Sequence, residues 1–193
     1  MTARVSGRKP RVASRVIEST PIRNNSEHTV ILGLDPSLRG TGFGVIELCK
    51  AQPRALTHGT ISCSANWPHS RCLANISQSI RDVLRKYQPT VCAVEGLFYA
   101  QNLQTAIVMG EARGAALAAI AEAGLEIYEI APHKMKQAIV GYGAAQKLAV
   151  AKMVQRMLQL DEVPAVDAAD ALALALAHAQ GQGRYTLTAP KRI

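Results

Sequence analysis

The chain has 193 residues, 48% of them hydrophobic, and carries a formal net charge of +8. Its length suits one well-buried globular domain and is short for two. No uninterrupted apolar stretch is long enough for a membrane-spanning helix, and the basic balance favours a polyanionic partner, either nucleic acid or an anionic surface.

Residues 1–29 form a basic leader whose composition differs from that of the rest. Six lysines and arginines stand against two glutamates, so this segment carries +4 of the total +8. High charge with little periodicity favours a disordered tail. Three alternatives stay open, namely an organelle transit peptide, a misplaced start codon and an arm that grasps DNA.

Hydrophobic periodicity predicts alternating elements in the rest of the chain. The predicted strands lie at 30–35, 41–48, 54–62, 91–95 and 125–130, and the predicted helices at 68–87, 101–123, 133–140, 144–160 and 166–180. Strands that come first, followed by alternating helices and strands, predict an α/β fold with a mixed five-stranded sheet flanked by helices. We expect one domain at 30–182, followed by a short C-terminal tail at 183–193.

The cysteine pattern indicates packing residues rather than a metal or disulfide framework. The four cysteines form no C-x-x-C pair and have no histidine at ligand spacing; they are Cys49, Cys63, Cys72 and Cys92. We therefore expect reduced thiols and a cytoplasmic protein.

Four acids stand at the edges of apolar elements. Asp35 and Glu95 each end an apolar strand, and Asp167 and Asp170 open a helix made almost entirely of Ala and Leu. The carboxyl ends of parallel strands meet at one edge of a sheet, and acids three apart share a helix face. Burying an unpaired carboxylate costs several kcal/mol at least. We therefore expect the four acids to share a cation.

Each of these acids also has a simpler explanation. Asp167 is a plausible helix cap for the first turn, where the helix dipole favours carboxylates. Asp35 precedes a proline and suits a turn, and Glu95 suits a solvated strand end. All four at one edge favour Mg²⁺ or Mn²⁺, which prefer oxygen ligands, and a pair of such ions supports phosphodiester hydrolysis.

Five motifs resemble those of the RuvC Holliday junction resolvases, in the family's order and spacing. They are ILGLDPSLRGTGFGVI at 31–46, VEGLF at 94–98, GEARG at 110–114, KQAIVGYG at 136–143 and DAADAL at 167–172. The resemblance implies a ribonuclease H-like fold and a homodimer. Such a dimer nicks opposed strands of a four-way DNA junction with a metal-activated water and leaves 5′-phosphate and 3′-hydroxyl ends.

The resemblance also implies roles for particular residues. It makes Asp35, Glu95, Asp167 and Asp170 the catalytic metal ligands, with two Mg²⁺ per subunit for which Mn²⁺ can substitute; some members carry histidine at position 167. Three further residues would bind DNA: Lys136 and Lys147 at the phosphates, and Phe98 by stacking on bases. The alternatives are ordinary solvated lysines and a core phenylalanine, with Tyr99 able to take the place of Phe98.

The resemblance further places the helix with Gly110 and Gly114 at the dimer interface, although those glycines would equally suit packing on the sheet. It implies coupling to the RuvA–RuvB branch-migration complex and no membrane partner. Gln101 departs from the lysine or arginine that many members carry there. Two other functions remain open, namely a related nuclease acting on flaps or RNA, and a non-catalytic junction-binding protein.

Overall fold

The computed structural model describes residues 29–96, 102–181 and 191–193. The strands are β1 Val30–Asp35, β2 Gly40–Glu47, β3 Arg54–Ser62, β4 Val91–Glu95, β5 Glu126–Ile130 and β6 Lys191–Arg192. The helices are α1 His69–Tyr87, α2 Leu103–Glu122, α3 Pro132–Val140, α4 Lys147–Leu158 and α5 Val166–Gly181. Phe98, Tyr99, Gln101 and residues 1–28 lie outside the described residues, so the predictions for them stay predictions.

The described strands form one mixed sheet in the order β3-β2-β1-β4-β5-β6. β1, β4 and β5 run parallel, while the remaining neighbours pair antiparallel. The prediction of five strands was wrong by one. β6 pairs with the edge of β5 through only two residues, which is too short for a hydrophobic period to reveal.

The pleat of the central strands divides the core into two clusters. In β1, Leu32 and Leu34 pack towards α1 and α2, whereas Ile31 packs towards α3, α4 and α5. β4 repeats the pattern, because Cys92 and Val94 belong to the first cluster and Val91 and Ala93 to the second. Both strands are buried on both faces, which explains their unbroken apolar runs.

Helix α5 is the most deeply enclosed element on its side of the sheet. Every residue from Ala168 to His178 is buried. It lies on β1 and β2, and α3 and α4 cover it from outside. A helix enclosed on all sides must be apolar around its whole circumference, which accounts for its Ala and Leu composition.

The structure bears on membrane-spanning helices and on the state of the four thiols. Among the residues that the structure describes, no helix combines the length and apolarity needed to span a membrane. All four cysteines are free thiols. Three are buried, as expected of packing residues, but Cys49 is exposed, so its packing role was predicted wrongly.

Candidate metal centre

The ends of β1 and β4 bring Asp35 and Glu95 together. The two strands pair in parallel with Gly33 opposite Ala93, so the next residues on the same face are the two acids. Odd-numbered positions of both strands face α5, and the two carboxyl groups are in hydrogen-bonding contact. The prediction that parallel strand ends place these acids side by side is confirmed by the sheet register.

Three glycines of β1 and β2 form a surface without side chains beneath α5, which we call the glycine floor: Gly33, Gly42 and Gly44. A Cβ atom at Gly33 would lie 1.8 Å from the Ala171 carbonyl oxygen. One at Gly42 would lie 2.0 Å from the carbonyl oxygen of Asp167. The backbone of α5 therefore rests directly on the sheet, an approach that only glycine permits.

This close approach places the acids of α5 above the strand ends. Gly42 is the β2 partner of Asp35, and the Asp167 backbone lies directly over Gly42. The Asp167 carboxylate extends towards the start of β2, since a Cβ at Gly40 would lie 3.1 Å from its Oδ2. Asp170, one turn further, is 6% exposed. The glycine floor thus brings both α5 acids to the edge where β1 and β4 end.

The capping explanation for Asp167 does not hold. The first helical hydrogen bond of α5 runs from Ala169 N–H to the Ala165 carbonyl, so Ala165 occupies the N-cap position. Asp167 lies within the first turn, where the helix dipole still favours a negative charge.

The acids perturb one another strongly. Burial, followed by repulsion from Asp35, raises the pKa of Glu95 to about 8. Burial also raises the pKa of Asp35, with Asp170 and Asp167 adding to the rise. The pKa of Asp170 is raised by burial as well, although Lys147 opposes the shift. The four carboxylates therefore share one electrostatic environment that disfavours their combined negative charge.

Two lysines face this negative cluster. Lys147 Nζ lies 3.3 Å from Asp170 Oδ2. Lys136 also acts on Asp170, because its positive charge opposes the rise in the Asp170 pKa. Lys147 is 61% exposed at its side chain and Asp170 only 9%, so the ammonium covers the acid from the solvent side. The resemblance predicts contacts with DNA phosphates for both lysines, and that role stays a prediction.

The donor set fits a hard divalent cation. All four side chains offer carboxylate oxygens, which Mg²⁺ and Mn²⁺ prefer, and a cation would offset the negative charge that the four acids bring together. Within the described ranges, no three acidic, histidine or cysteine side chains are grouped closely enough to ligate one ion as they stand. Asp35 contacts Glu95 and Asp170 contacts Lys147, so ligation requires these contacts to be exchanged for the metal.

A family model described as "Crossover junction endodeoxyribonuclease RuvC" matches residues 31–178, a span that contains the whole acidic cluster. The chain belongs to the RuvC family.

Individual relatives agree with this assignment. The RuvC protein of Akkermansia muciniphila is 47% identical over 144 residues, which are 75% of this chain and 86% of that protein. The Heliobacterium modesticaldum protein is 42% identical over 146 residues, 75% of this chain and 90% of its own. The structure of Thermus thermophilus RuvC with a Holliday junction substrate superposes with a TM-score of 0.78 at 34% identity, covering 86% of this chain and all of that one.

This RuvC-family assignment confirms the predicted family and the ribonuclease H-like fold. The structure also shows contributors that the sequence reasoning missed. Gly40, Gly42 and Gly44 alternate along β2, and this period of two could have indicated one side-chain-free strand face. Arg113 was noted only as part of a motif, yet it is buried and donates hydrogen bonds to the Glu95 carbonyl and to Glu129. Nothing in the surrounding pattern of α2 signals that burial.

Proposed function

We propose that this RuvC-family chain is a metal-dependent endonuclease that resolves four-way Holliday junctions by paired, symmetric nicks. The observation that carries the proposal is the convergence of four acids, from two strand ends and the first turn of α5, at one edge of the sheet. Structural acids of a binding protein would have no need to share an environment that opposes their ionisation.

The catalytic roles follow from that convergence. Asp35, Glu95, Asp167 and Asp170 would hold two Mg²⁺ ions per subunit, with Mn²⁺ able to substitute. Bound metal supplies water activation at near-neutral pH and charge stabilisation of the leaving oxygen. To bind a cation, Asp35 and Glu95 would both have to be ionised, and cleavage would leave 5′-phosphate and 3′-hydroxyl ends.

Three residues are assigned to DNA. Lys147 lies on the solvent side of Asp170, and Lys136 acts electrostatically on the same acid, so both charges could meet the phosphates of the strand to be cut. Such contacts fix the position of the backbone without reading its sequence. We assign Phe98 to base stacking because it follows Glu95 by three positions, although it lies outside the described residues.

We propose a homodimer formed through the outer face of α2. Among its exposed positions, one row is apolar or small and repeats at intervals of three or four residues: Leu103, Ile107, Gly110, Gly114 and Ala118. Leu103 is 76% exposed and Ile107 53%, which is unusual for large apolar side chains. This row, which we call the α2 seam, has the spacing of a helix–helix contact, and a two-fold axis there would supply two active sites for two opposed strands.

Several wider assignments rest on the family alone. We propose a cytoplasmic location, coupling to the RuvA–RuvB branch-migration complex and no membrane partner. We also propose that residues 30–182 are the nuclease domain, between the basic leader and the C-terminal tail.

The deciding experiment compares three labelled substrates: a mobile four-way junction, a flap and an RNA–DNA hybrid. We expect Mg²⁺-dependent cuts in the junction only, placed symmetrically on opposed strands and mapped to the nucleotide. Asp35→Asn should still bind the junction but not cut it. Preferred cutting of the flap or hybrid would indicate another ribonuclease H-like nuclease, and binding without any cut in Mg²⁺ or Mn²⁺ would indicate a non-catalytic binder.

A further inference from the structure

We propose that Arg113 is a positioning residue that fixes Glu95 at the end of β4. Arg113 belongs to α2, on the opposite face of the sheet from α5, and is 8% exposed. Its Nη1 donates a hydrogen bond to the Glu95 carbonyl oxygen. Its Nη2 donates to Glu129 Oε2 on β5 at 2.5 Å. One guanidinium therefore ties the end of β4 to β5, and this inference builds on the role proposed for Glu95.

The Glu95 carbonyl needs a donor because its neighbour in the sheet cannot supply one. Gly96 N–H bonds the Ile130 carbonyl on β5, so by the alternation of the strand the Glu95 carbonyl faces β1. In the parallel register of β1 and β4, the next N–H on that side would belong to the residue after Asp35. That residue is Pro36, which has no N–H. Arg113 supplies the missing donor.

Arginine suits this position better than lysine. The guanidinium presents several donors in a rigid plane, so it can hold a carbonyl and a carboxylate at once. Glu129 is itself only 23% exposed at its side chain, and it neutralises the buried charge. A lysine ammonium could keep the charge next to Glu129 but would hold the two acceptors less rigidly.

Loss of this clamp would act on metal binding rather than on DNA binding. The backbone of Glu95 sets the distance between its carboxylate and that of Asp35, and residues that orient metal ligands typically contribute about 10- to 100-fold in affinity or activity. Arg113 is buried on the far face of the sheet from Lys147, so it has no direct route to the phosphates. The clamp thus predicts a change in metal response at nearly constant junction affinity.

The test uses Arg113→Lys and the double variant Arg113→Met with Glu129→Gln, which avoids leaving a buried charge unpaired. Arg81→Met is the matched control, since it removes an arginine that pairs with Glu122 at 2.9 Å on the exposed side of α1 and α2. For each protein we would measure junction affinity without metal, kcat and KM for cleavage, the Mg²⁺ concentration at half-maximal rate, and the Mg²⁺-induced rise in melting temperature.

We expect Arg113→Lys to lower kcat by about tenfold or more, to raise the half-maximal Mg²⁺ concentration, and to reduce the Mg²⁺-induced stabilisation, with KM and junction affinity within about twofold. Arg81→Met should match the wild type. Wild-type kcat and metal response in Arg113→Lys would overturn the inference, even if the double variant does not fold. A loss of junction affinity with an unchanged metal response would also overturn it. If the wild type cuts no junction, the proposed function fails, and the Mg²⁺-induced melting shifts still decide whether Arg113 supports a metal site.

Discussion

The glycines of the glycine floor are covered by a helix, whereas those of the α2 seam are not covered by any of the described residues. In the glycine floor, Gly33 and Gly42 lie so near α5 that any Cβ atom would overlap its backbone oxygens. In the α2 seam, a Cβ at Gly110 or Gly114 would meet nothing within 4 Å among the described residues. The residue type is the same, but a neighbour that explains it lies among the described residues in the first case only.

The difference shows how the chain uses close approach for two purposes. The covered glycines set the height of α5 above the sheet and thereby the position of Asp167 relative to Asp35. Glycine inside a helix costs about 1 kcal/mol relative to alanine, so the exposed glycines of α2 reduce the stability of the isolated protomer. That cost is understandable if a second copy covers them, as the proposed dimer requires.

The largest effect is expected from Gly42→Ala, which adds a methyl group to the glycine floor. The added Cβ would lie 2.0 Å from a main-chain oxygen of α5, which cannot rotate away, so the helix must shift. We expect a loss of about 3 kcal/mol in the free energy of unfolding. Cleavage should fall by about 100-fold, because a displacement near 1 Å misplaces reacting groups. Urea denaturation and single-turnover cleavage would measure the two effects.

Gly59→Ala is the control for this substitution. It also places a methyl group on a sheet glycine, but the nearest atom is on the Phe43 ring at 3.1 Å, and a ring can adjust. Its stability should fall by less than half as much. Equal losses in the two variants would show that the contact with α5 has no special importance.

The second effect concerns the exposed glycines. Gly110→Leu should leave the protomer as stable as before or slightly more stable, since leucine is a better helix former and no described atom obstructs it. The proposed dimer should weaken by at least about tenfold, equivalent to about 1.4 kcal/mol, because the side chain would separate the two helices. Sedimentation equilibrium would give the association constant, and junction cleavage should change from paired to single nicks.

Ala74→Leu on the exposed side of α1 is the matched control for added apolar bulk. It should leave both association and paired cutting unchanged. If Gly110→Leu keeps the wild-type dimer, the α2 seam is not the interface, and its glycines need another explanation.

Much of this arrangement could be predicted from sequence because it depends on local patterns. The predicted bounds of β3, 54–62, agree with the structure, because turn residues flank both ends of the strand and its side chains alternate between the two faces. The meeting of Asp35 and Glu95 followed from two apolar strands that each end in an acid. In contrast, α4 begins at Lys147 rather than at 144, since Ala145 is buried in the preceding turn and helix propensity alone does not show this.

The parts that could not be predicted depend on tertiary contacts. A glycine has no side chain whose chemistry indicates a role. The need for glycine at 42 and 44 is explained only by the structure, in which α5 packs directly on both positions. Arg113 would be expected on a helix surface, and only the β4 end, where Pro36 leaves a carbonyl without its ladder partner, explains its burial. The residue type at such positions is explained by contacts between distant parts of the chain and not by the residues next to it in sequence.

A third effect is a pH dependence of the acids that the glycine floor assembles. Because the pKa of Glu95 is raised from 4.5 to about 8, the metal-free folded protein keeps a proton that the unfolded chain loses. This contribution to stability is complete below about pH 4.5 and is lost as the pH rises through about 8. In EDTA, the melting temperature should therefore fall between pH 6 and 8.5, and Glu95→Gln should flatten that fall.

Metal should reverse the trend, because a cation and a proton compete for the same carboxylates. We expect the Mg²⁺-induced rise in melting temperature to be larger at pH 8.5 than at pH 6. A rise that does not depend on pH would show that Mg²⁺ binds away from Glu95.

The smallest effect on the fold is expected from Lys147→Met, which tests the solvent side of the acids. Burial alone would lower the pKa of Lys147, but the contact with Asp170, together with the charges of Asp35 and Asp167, outweighs it and raises the pKa, so the lysine stays charged. Because its side chain is 61% exposed, its removal should change the free energy of unfolding by less than about 1 kcal/mol.

If the Lys147 ammonium binds a phosphate, Lys147→Met should decrease the slope of log affinity against log salt by about one for junction DNA. Lys152→Met, on the exposed side of α4, is the control and should leave that slope unchanged. Equal slopes in the wild type and Lys147→Met would mean that Lys147 interacts only with Asp170. Other residues would then have to supply the phosphate contacts near the acids that the glycine floor assembles.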